Sequence, residues 1–296
     1  MRTAQAGIFA LGSPSHAYLE FDRLPDASVA ELVAAVAALR VPRTTVAGVN
    51  AVLGFRPEIW RSAAPAGIPA DIRAFDEPVT GIEGFSMPAT QHDLVLWLSG
   101  GAYDIVFDAS RTAIATLADV ASVATETVSW SYRRNRDLTG FEDGTENPSL
   151  PEAPDIALIP ADSPGAAGSI LLLQRWILDD ARWSALPDAA QEKIMGRRKS
   201  DSVELDAKAE DSHVARTDQD TFGHILRRNM PLGTAGEHGT MFVGFCATQA
   251  PLARMLDSMA GRLDGKRDAL TRFLRPISGA YYFVPATEDL MPPEQD

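Results

Sequence analysis

The chain has 296 residues, 45% hydrophobic and 23% charged, a composition that builds globular cores and excludes a disordered or fibrous chain. Its net charge of -13 argues against nucleic acid or an anionic membrane surface as a partner. No apolar run is long enough to cross a bilayer, and residues 1–6 lack the apolar stretch of a signal peptide, so the expected compartment is the cytoplasm.

In chain order, residues 6–11 and 17–21 read as extended. Ser28-Val29-Ala30-Glu31 is a capping box, and Val29, Leu32, Val33, Val36 and Leu39 form one apolar stripe of a helix, with Pro42 after its end. Strand-like runs follow at 45–55 and 93–98. A helix fits 110–118, and 120–132 alternates like a strand. The second half repeats the order. Residues 169–178 form an apolar strand, 187–195 a helix opened by Pro187, and 225–229 and 241–247 two strands. Residues 252–259 make a helix before Gly261, and 280–284 a last strand. The single Cys246, in an apolar run, is expected as an inert buried thiol.

No residue-level repeat accompanies this duplication. The expected fold class is α+β, with two ferredoxin-like domains, each an antiparallel sheet with helices packed on one face. Residues 1–139 and 166–296 would be the two domains, and 140–165 the segment between them, where ligand clefts concentrate.

That segment opens with Gly140-Phe141-Glu142-Asp143-Gly144-Thr145-Glu146-Asn147-Pro148. Asp143 stands between glycines that permit close ligand approach, in a stretch with no helical or strand period. A solvated acidic turn has the same composition. The five histidines show no zinc-like spacing, and one cysteine cannot complete a closed zinc site. His16, beside Pro14 and Ser15, reads as a turn. His213, which opens Val214-Ala215-Arg216, could serve as a lone axial ligand, since haem needs one protein nitrogen on its proximal side. Arg227 and Asn229 share a strand face opposite to Arg228, and an arginine with an amide can stabilise developing negative charge. The basic clusters 133–136 and 197–199 are solvated faces or counter-charges for an anionic ligand.

Together, Arg136-Asp137-Leu138-Thr139 with the glycine segment, Ser212-His213-Val214-Ala215-Arg216, Arg227-Arg228-Asn229-Met230-Pro231-Leu232-Gly233 and Gly265-Lys266-Arg267-Asp268 resemble the dye-decolourising (DyP-type) haem peroxidases, B-type branch. The resemblance implies one haem b per chain, held through iron by His213 with Asp268 behind it. It implies Asp143, Arg227 and Asn229 as the distal catalytic groups, and Arg197 as a haem-propionate partner. Gly144 and Thr145 would pack on the porphyrin edge, Phe245 in the distal wall, and Glu146 near a Mn(II) site. Hydrogen peroxide would be reduced and dyes, phenols or similar small aromatic donors oxidised through an oxoferryl intermediate. Bulky donors would react at the haem edge or through surface Trp or Tyr residues such as Trp176, Trp183 or Tyr132. An aspartate base, ionised above about 3.9 in model peptides, favours turnover at acidic pH. Alternative readings are a haem de-ironing (deferrochelatase-like) enzyme and a non-catalytic haem carrier or store. A homo-oligomer is expected, and an encapsulin shell is a further partner that the resemblance suggests.

Overall fold

The computed structural model describes residues 2–39, 48–63, 67–133 and 135–290. Pro42, the start of the 45–55 run, Arg134 and the chain beyond Leu290 lie outside the described residues. In the N-terminal half, β1 (Ser15–Arg23), α1 (Val29–Ala38), β2 (Val49–Phe55) and α2 (Pro57–Ala63) come first. The short pair β3 (Val79–Thr80) and β4 (Ser86–Met87), β5 (Leu94–Gly100), α3 (Tyr103–Leu117) and β6 (Ala121–Trp130) follow. The C-terminal half supplies α4 (Ala153–Ala157), β7 (Ser169–Leu178), α5 (Asp180–Ser184), α6 (Asp188–Met195), α7 (His213–Arg216) and α8 (Gln219–Phe222). It continues with β8 (Leu226–Arg227), β9 (Met230–Gly233), β10 (His238–Cys246), α9 (Ala250–Met259), β11 (Leu274–Pro276) and β12 (Ala280–Val284).

The α1 capping box is formed: Glu31 N–H donates to Ser28 Oγ at 3.2 Å, and Ser28 N–H to the Glu31 carboxylate at 2.7 Å. α3 begins seven residues earlier than the sequence suggests. Its N-cap, Ala102, carries no side-chain acceptor, so nothing local marks the start. Residues 6–9 form a 3₁₀ turn, not a strand. The 225–229 run holds only the two-residue β8, and Asn229 lies between β8 and β9.

Ten of the strands form one antiparallel sheet in the order β11-β7-β12-β2-β5-β1-β6-β9-β10-β8, with β7 also pairing with β10, while β3 and β4 pair only with each other. That extra pairing closes a barrel, so the two sheets expected from the sequence are joined into one. Closure removes the edges that two open sheets would expose. The joints between halves are narrow: Phe283 opposite Phe55, and Ser129 opposite Leu232.

Alternation divides the side chains between two cores. Inside the barrel sit Tyr18, Trp97, Phe245 and Tyr282, all within 1% of full burial. His16 is there too, fully buried on β1 and not in a turn; Trp97 Nε1 donates to its Nδ1 at 3.1 Å. Desolvation, with the Arg228 charge second, pulls this imidazole down to about 4. Arg228 lies 4.5 Å from the Trp97 ring centre and donates to the Gly7, Ile8 and Ala10 carbonyls. Outside the barrel, Leu19, Leu53 and Leu96 pack in one core with Leu32 of α1 and Val106 of α3. Leu172 and Trp176 of β7 face the same way in the second half, sharing that core with Leu252 and Leu256 of α9.

Candidate active site

The glycine segment folds tightly on itself and is then fastened to a strand. Gly140 and Gly144 adopt φ of +91° and +77°, which a side chain would resist. Asp137 N–H donates to Phe141 O at 2.9 Å, and Asp143 N–H to Asn135 O at 2.7 Å. The Asn147 side chain then acts as a strand neighbour would. Its Nδ2 donates to Arg227 O at 2.8 Å, and its Oδ1 accepts from Arg227 N–H at 2.8 Å. Gln219 Nε2 adds a bond to Glu146 O at 3.0 Å. Asp143 is thereby carried to the strand that bears Arg227.

Asn229 fixes the carboxylate. Its Nδ2 donates to Asp143 Oδ1 at 2.8 Å, and its Oδ1 accepts from Val243 N–H at 3.1 Å. Both ends of the amide are assigned by these partners, leaving Asp143 Oδ2 for other work. Arg227 stands opposite Gly244 in the β8–β10 register. Its Nε is buried and has no hydrogen-bond partner among the described residues. A buried unpaired guanidinium nitrogen costs free energy, so this position is prepared for an acceptor that the chain does not supply.

On the facing element, Ser212 caps α7 with extended backbone and His213 is its first residue. His213 Nδ1 lies 2.7 Å from Oδ2 of Asp268, which is fully buried and whose Oδ1 accepts from Leu270 N–H at 2.9 Å. A carboxylate only accepts, so the proton sits on Nδ1 and Nε2 keeps its lone pair, the tautomer able to bind a metal.

Asp143, Arg227, Asn229 and His213 all line one cavity of about 1290 Å³, its mouth included, between the outer faces of β7 and β10 and helix α9. Leu172, Phe242, Leu252, Met255 and Ile225 give it an apolar lining. An apolar slot with one imidazole lone pair and an unpaired guanidinium fits a flat iron porphyrin. Asp137 is also in the wall. Desolvation pushes its carboxyl up to about 6, against hydrogen bonds from the Thr139 hydroxyl and N–H, and neighbouring Asp143 pushes the same way.

The remaining expected residues fall out unevenly. Thr145 lines the cavity. Gly144 is not among the lining residues; its place is the turn, where a Cβ would come 2.8 Å from Asn147 Nδ2. Phe245 is a correction: it points into the barrel and stacks on Trp97 at 6.1 Å, because residues 241, 243 and 245 share the inner face. Phe242, on the outer face, takes the wall position. Arg197 lines the cavity, but Glu146 and Glu204 pair with its Nη2 and Ser202 O accepts from its Nη1. A propionate there would have to displace a carboxylate. Glu146 thus faces a cation, and among the described residues no cluster of three or more His, Cys, Asp or Glu could hold a metal ion. Trp176 and Trp183 are only 5% and 2% exposed, so neither is a surface residue. Asn147 and Asp137 were legible in the motif as polar residues, without a role.

A family model described as "Dyp-type peroxidase, C-terminal" matches residues 134–289. A dye-decolorizing peroxidase of Rhodococcus erythropolis is 34% identical over 261 residues, covering 85% of this chain and 76% of that protein. Among solved structures, a DypB variant of Rhodococcus jostii in complex with heme is 30% identical, with a TM-score of 0.85 over 94% of this chain and 95% of that one. The encapsulated DyP-type peroxidase of Mycobacterium smegmatis is 28% identical, with a TM-score of 0.89 over 100% and 99%. No helix among the described residues is long and apolar enough to cross a membrane.

Proposed function

Since the chain belongs to the Dyp-type, dye-decolourising family of haem peroxidases, we propose that His213 Nε2 would hold its haem and that Asp143 and Arg227, which line the same cavity, act on peroxide there. Bound there, haem supplies the iron at which peroxide is reduced and the oxidising power that electron donors then discharge. Asp268 fixes the imidazole tautomer and, by accepting from Nδ1–H, makes Nε2 a more basic donor. Asp143 Oδ2 takes the proton from the near peroxide oxygen and returns it to the far one. Arg227 stabilises the negative charge on the departing oxygen, for which its unpaired Nε is suited. Asn229 holds Asp143 in place, a narrower role than contacting peroxide itself.

The single observation that carries this reading is the convergence of Asp143, Arg227 and Asn229 on the cavity that His213 also lines. A haem store needs only the imidazole, and the relatives are peroxidases, so neither storage nor de-ironing is favoured. Rapid mixing of holoenzyme with peroxide tests the assignment. Asp143→Ala and Arg227→Leu should both slow the first spectral change, each by at least about 100-fold if it supplies proton transfer or charge stabilisation. Parent rates in both variants would refute the distal roles, and a haem spectrum unchanged by His213→Ala would refute the ligand.

The finer reading of the fold is two ferredoxin-like units, 1–139 and 166–296, joined by 140–165. Its support is strand order: β2-β5-β1-β6 in one half and β9-β10-β7-β12 in the other place each unit's strands second, third, first, fourth. The B-type branch, homo-oligomerisation and encapsulin loading rest on family likeness. Light scattering of the purified protein checks the oligomer, and co-expression with a shell protein checks the loading.

A further inference from the structure

Helix α3 buries Val106, Ala113 and Leu117 against the outer face of the sheet, where β1 and β5 lie. Its opposite face carries more apolar surface than solvation needs. Tyr103 and Phe107, one turn apart, are 46% and 44% exposed, with ring centres 6.1 Å from each other. On the following turn, the Arg111 guanidinium lies 5.8 Å from the Phe107 ring centre. Tyr103 and Arg111 thus flank the Phe107 ring, and a side chain already held in place loses little freedom on docking.

The same helix has a hollow of about 970 Å³, mouth included, lined by Asp108, Arg111, Thr112, Ala115 and Thr116. Asp108, Arg111, Thr112 and Ala115 stand at i, i+3, i+4 and i+7, the four corners of a hole that receives one side chain from a facing helix. The hollow is less polar than its sequence. Thr112 Oγ1 donates to Asp108 O at 2.9 Å, and Thr116 Oγ1 to Thr112 O at 2.8 Å. Both hydroxyls are turned to the helix's own carbonyls, and the methyls are left for a neighbour. Asp104, Asp108 and Arg111 make no salt bridge among the described residues, and Arg111 rests on the Phe107 ring alone.

A knob at 107 and a hole around 111 and 112 fit a second copy of this helix. When two α3 helices cross antiparallel, with a two-fold axis between residues 109 and 110, position 107 of each faces 112 of the other, and 108 faces 111. The ring then enters the hole, and each arginine meets an aspartate. A parallel pair would set Asp108 on Asp108 and Arg111 on Arg111, like charge against like.

We propose that α3 is a self-association face, with Phe107 of one copy seated in the hollow of a second and Arg111 paired to Asp108 across the axis. The occupant is a second copy because knob, hole and both charges lie on one helix, in the relation that an isologous contact demands. The contact, its symmetry and its residues go beyond the homo-oligomer that family likeness suggests, and none of them depends on the peroxidase reading.

Sedimentation equilibrium of the holoprotein tests the contact. Phe107→Ser and Arg111→Asp should each raise the dissociation constant of the association by about tenfold or more, the scale of an aromatic or arginine anchor. The charge swap D108R/R111D should associate more tightly than Arg111→Asp, because it rebuilds both pairs across the axis. No α3 residue lines the haem cavity, so the Soret band and the peroxide reaction should match the parent in every variant, which also reports that each has folded. A parent that sediments as a monomer up to its solubility limit would overturn the proposal, as would parental association in both Phe107→Ser and Arg111→Asp. A swap that associates no better than Arg111→Asp would overturn the antiparallel pairing on which the proposal stands.

Discussion

Replacing Asp268 by Asn should weaken haem binding through the tautomer of His213. The carboxylate serves two donors at once, His213 Nδ1–H at 2.7 Å and Leu270 N–H at 2.9 Å, and it is fully buried, so water cannot substitute. An amide has one oxygen and one NH₂, and can satisfy only one of those donors. If the oxygen stays with Leu270, the NH₂ confronts Nδ1–H. The imidazole then relieves the clash by moving its proton to Nε2, which removes the lone pair that would bind iron. If the oxygen turns to His213, the cap at Leu270 is lost and a buried N–H faces an N–H. Either way a charge-assisted bond worth about 1.5–3 kcal/mol goes, and removing such a partner typically costs 10–100-fold in metal affinity. Haemin titration of the cofactor-free protein, followed by haem transfer to apomyoglobin, measures the loss, and urea unfolding of the same protein measures the stability change. Haemin affinity and transfer rate equal to the parent would refute the tautomer argument.

Asn147→Ala removes both bonds to the Arg227 backbone and should lower stability to urea by about 1–3 kcal/mol, with a slower peroxide reaction because Asp143 is no longer tied to β8. Phe245→Ala should cost about 3–5 kcal/mol of stability and leave the Soret band in place, since the ring fills the barrel; Phe242→Ala should shift the Soret band, and the reverse pattern would restore Phe245 to the cavity wall. Asp137 and His16 should make opposite contributions to pH dependence. The folded-state carboxyl of Asp137 is raised to about 6, so its contribution is present below the unfolded value and is lost as pH rises towards 6. His16 is lowered to about 4, so its contribution is present above the unfolded value and lost as pH falls towards 4. The melting temperature of cofactor-free Asp137→Asn should therefore gain on the parent as pH rises from 4 to 6, and a constant difference across that window would refute the Asp137 assignment.

What was legible in the chain was local, and what was not depended on pairing between distant strands. The capping box, the apolar stripe of α1 and the long strands β7 and β10 follow from spacing within a few residues. The left-handed glycines at 140 and 144 and the His213–Asp268 pair followed from motif strings. Barrel closure did not, because it rests on β7 meeting β10 and on single-pair joints at Phe55–Phe283 and Ser129–Leu232, which no local pattern announces. His16 looked like a turn residue because Pro14 and Ser15 precede it, yet its indole partner Trp97 lies 81 residues away.

Phe245 shows the same limit in a single residue. Alternation places residues 240, 242 and 244 on one face of β10 and 241, 243 and 245 on the other, but it cannot say which face meets the cavity. The register says so: Arg227 pairs with Gly244, and residues directly opposite in an antiparallel pair project to the same side. Because Arg227 faces the cavity, the even-numbered residues of β10 do as well, and Phe245 must turn inward to Trp97. The absence of a side chain at Gly244 then matters, since the space beside the Arg227 guanidinium is kept open by the residue facing it. A Cβ there would come within 2.9 Å of the Phe242 ring and 3.0 Å of Leu252, so any larger residue would push the wall of the cavity towards the position that Arg227 holds ready for an anion.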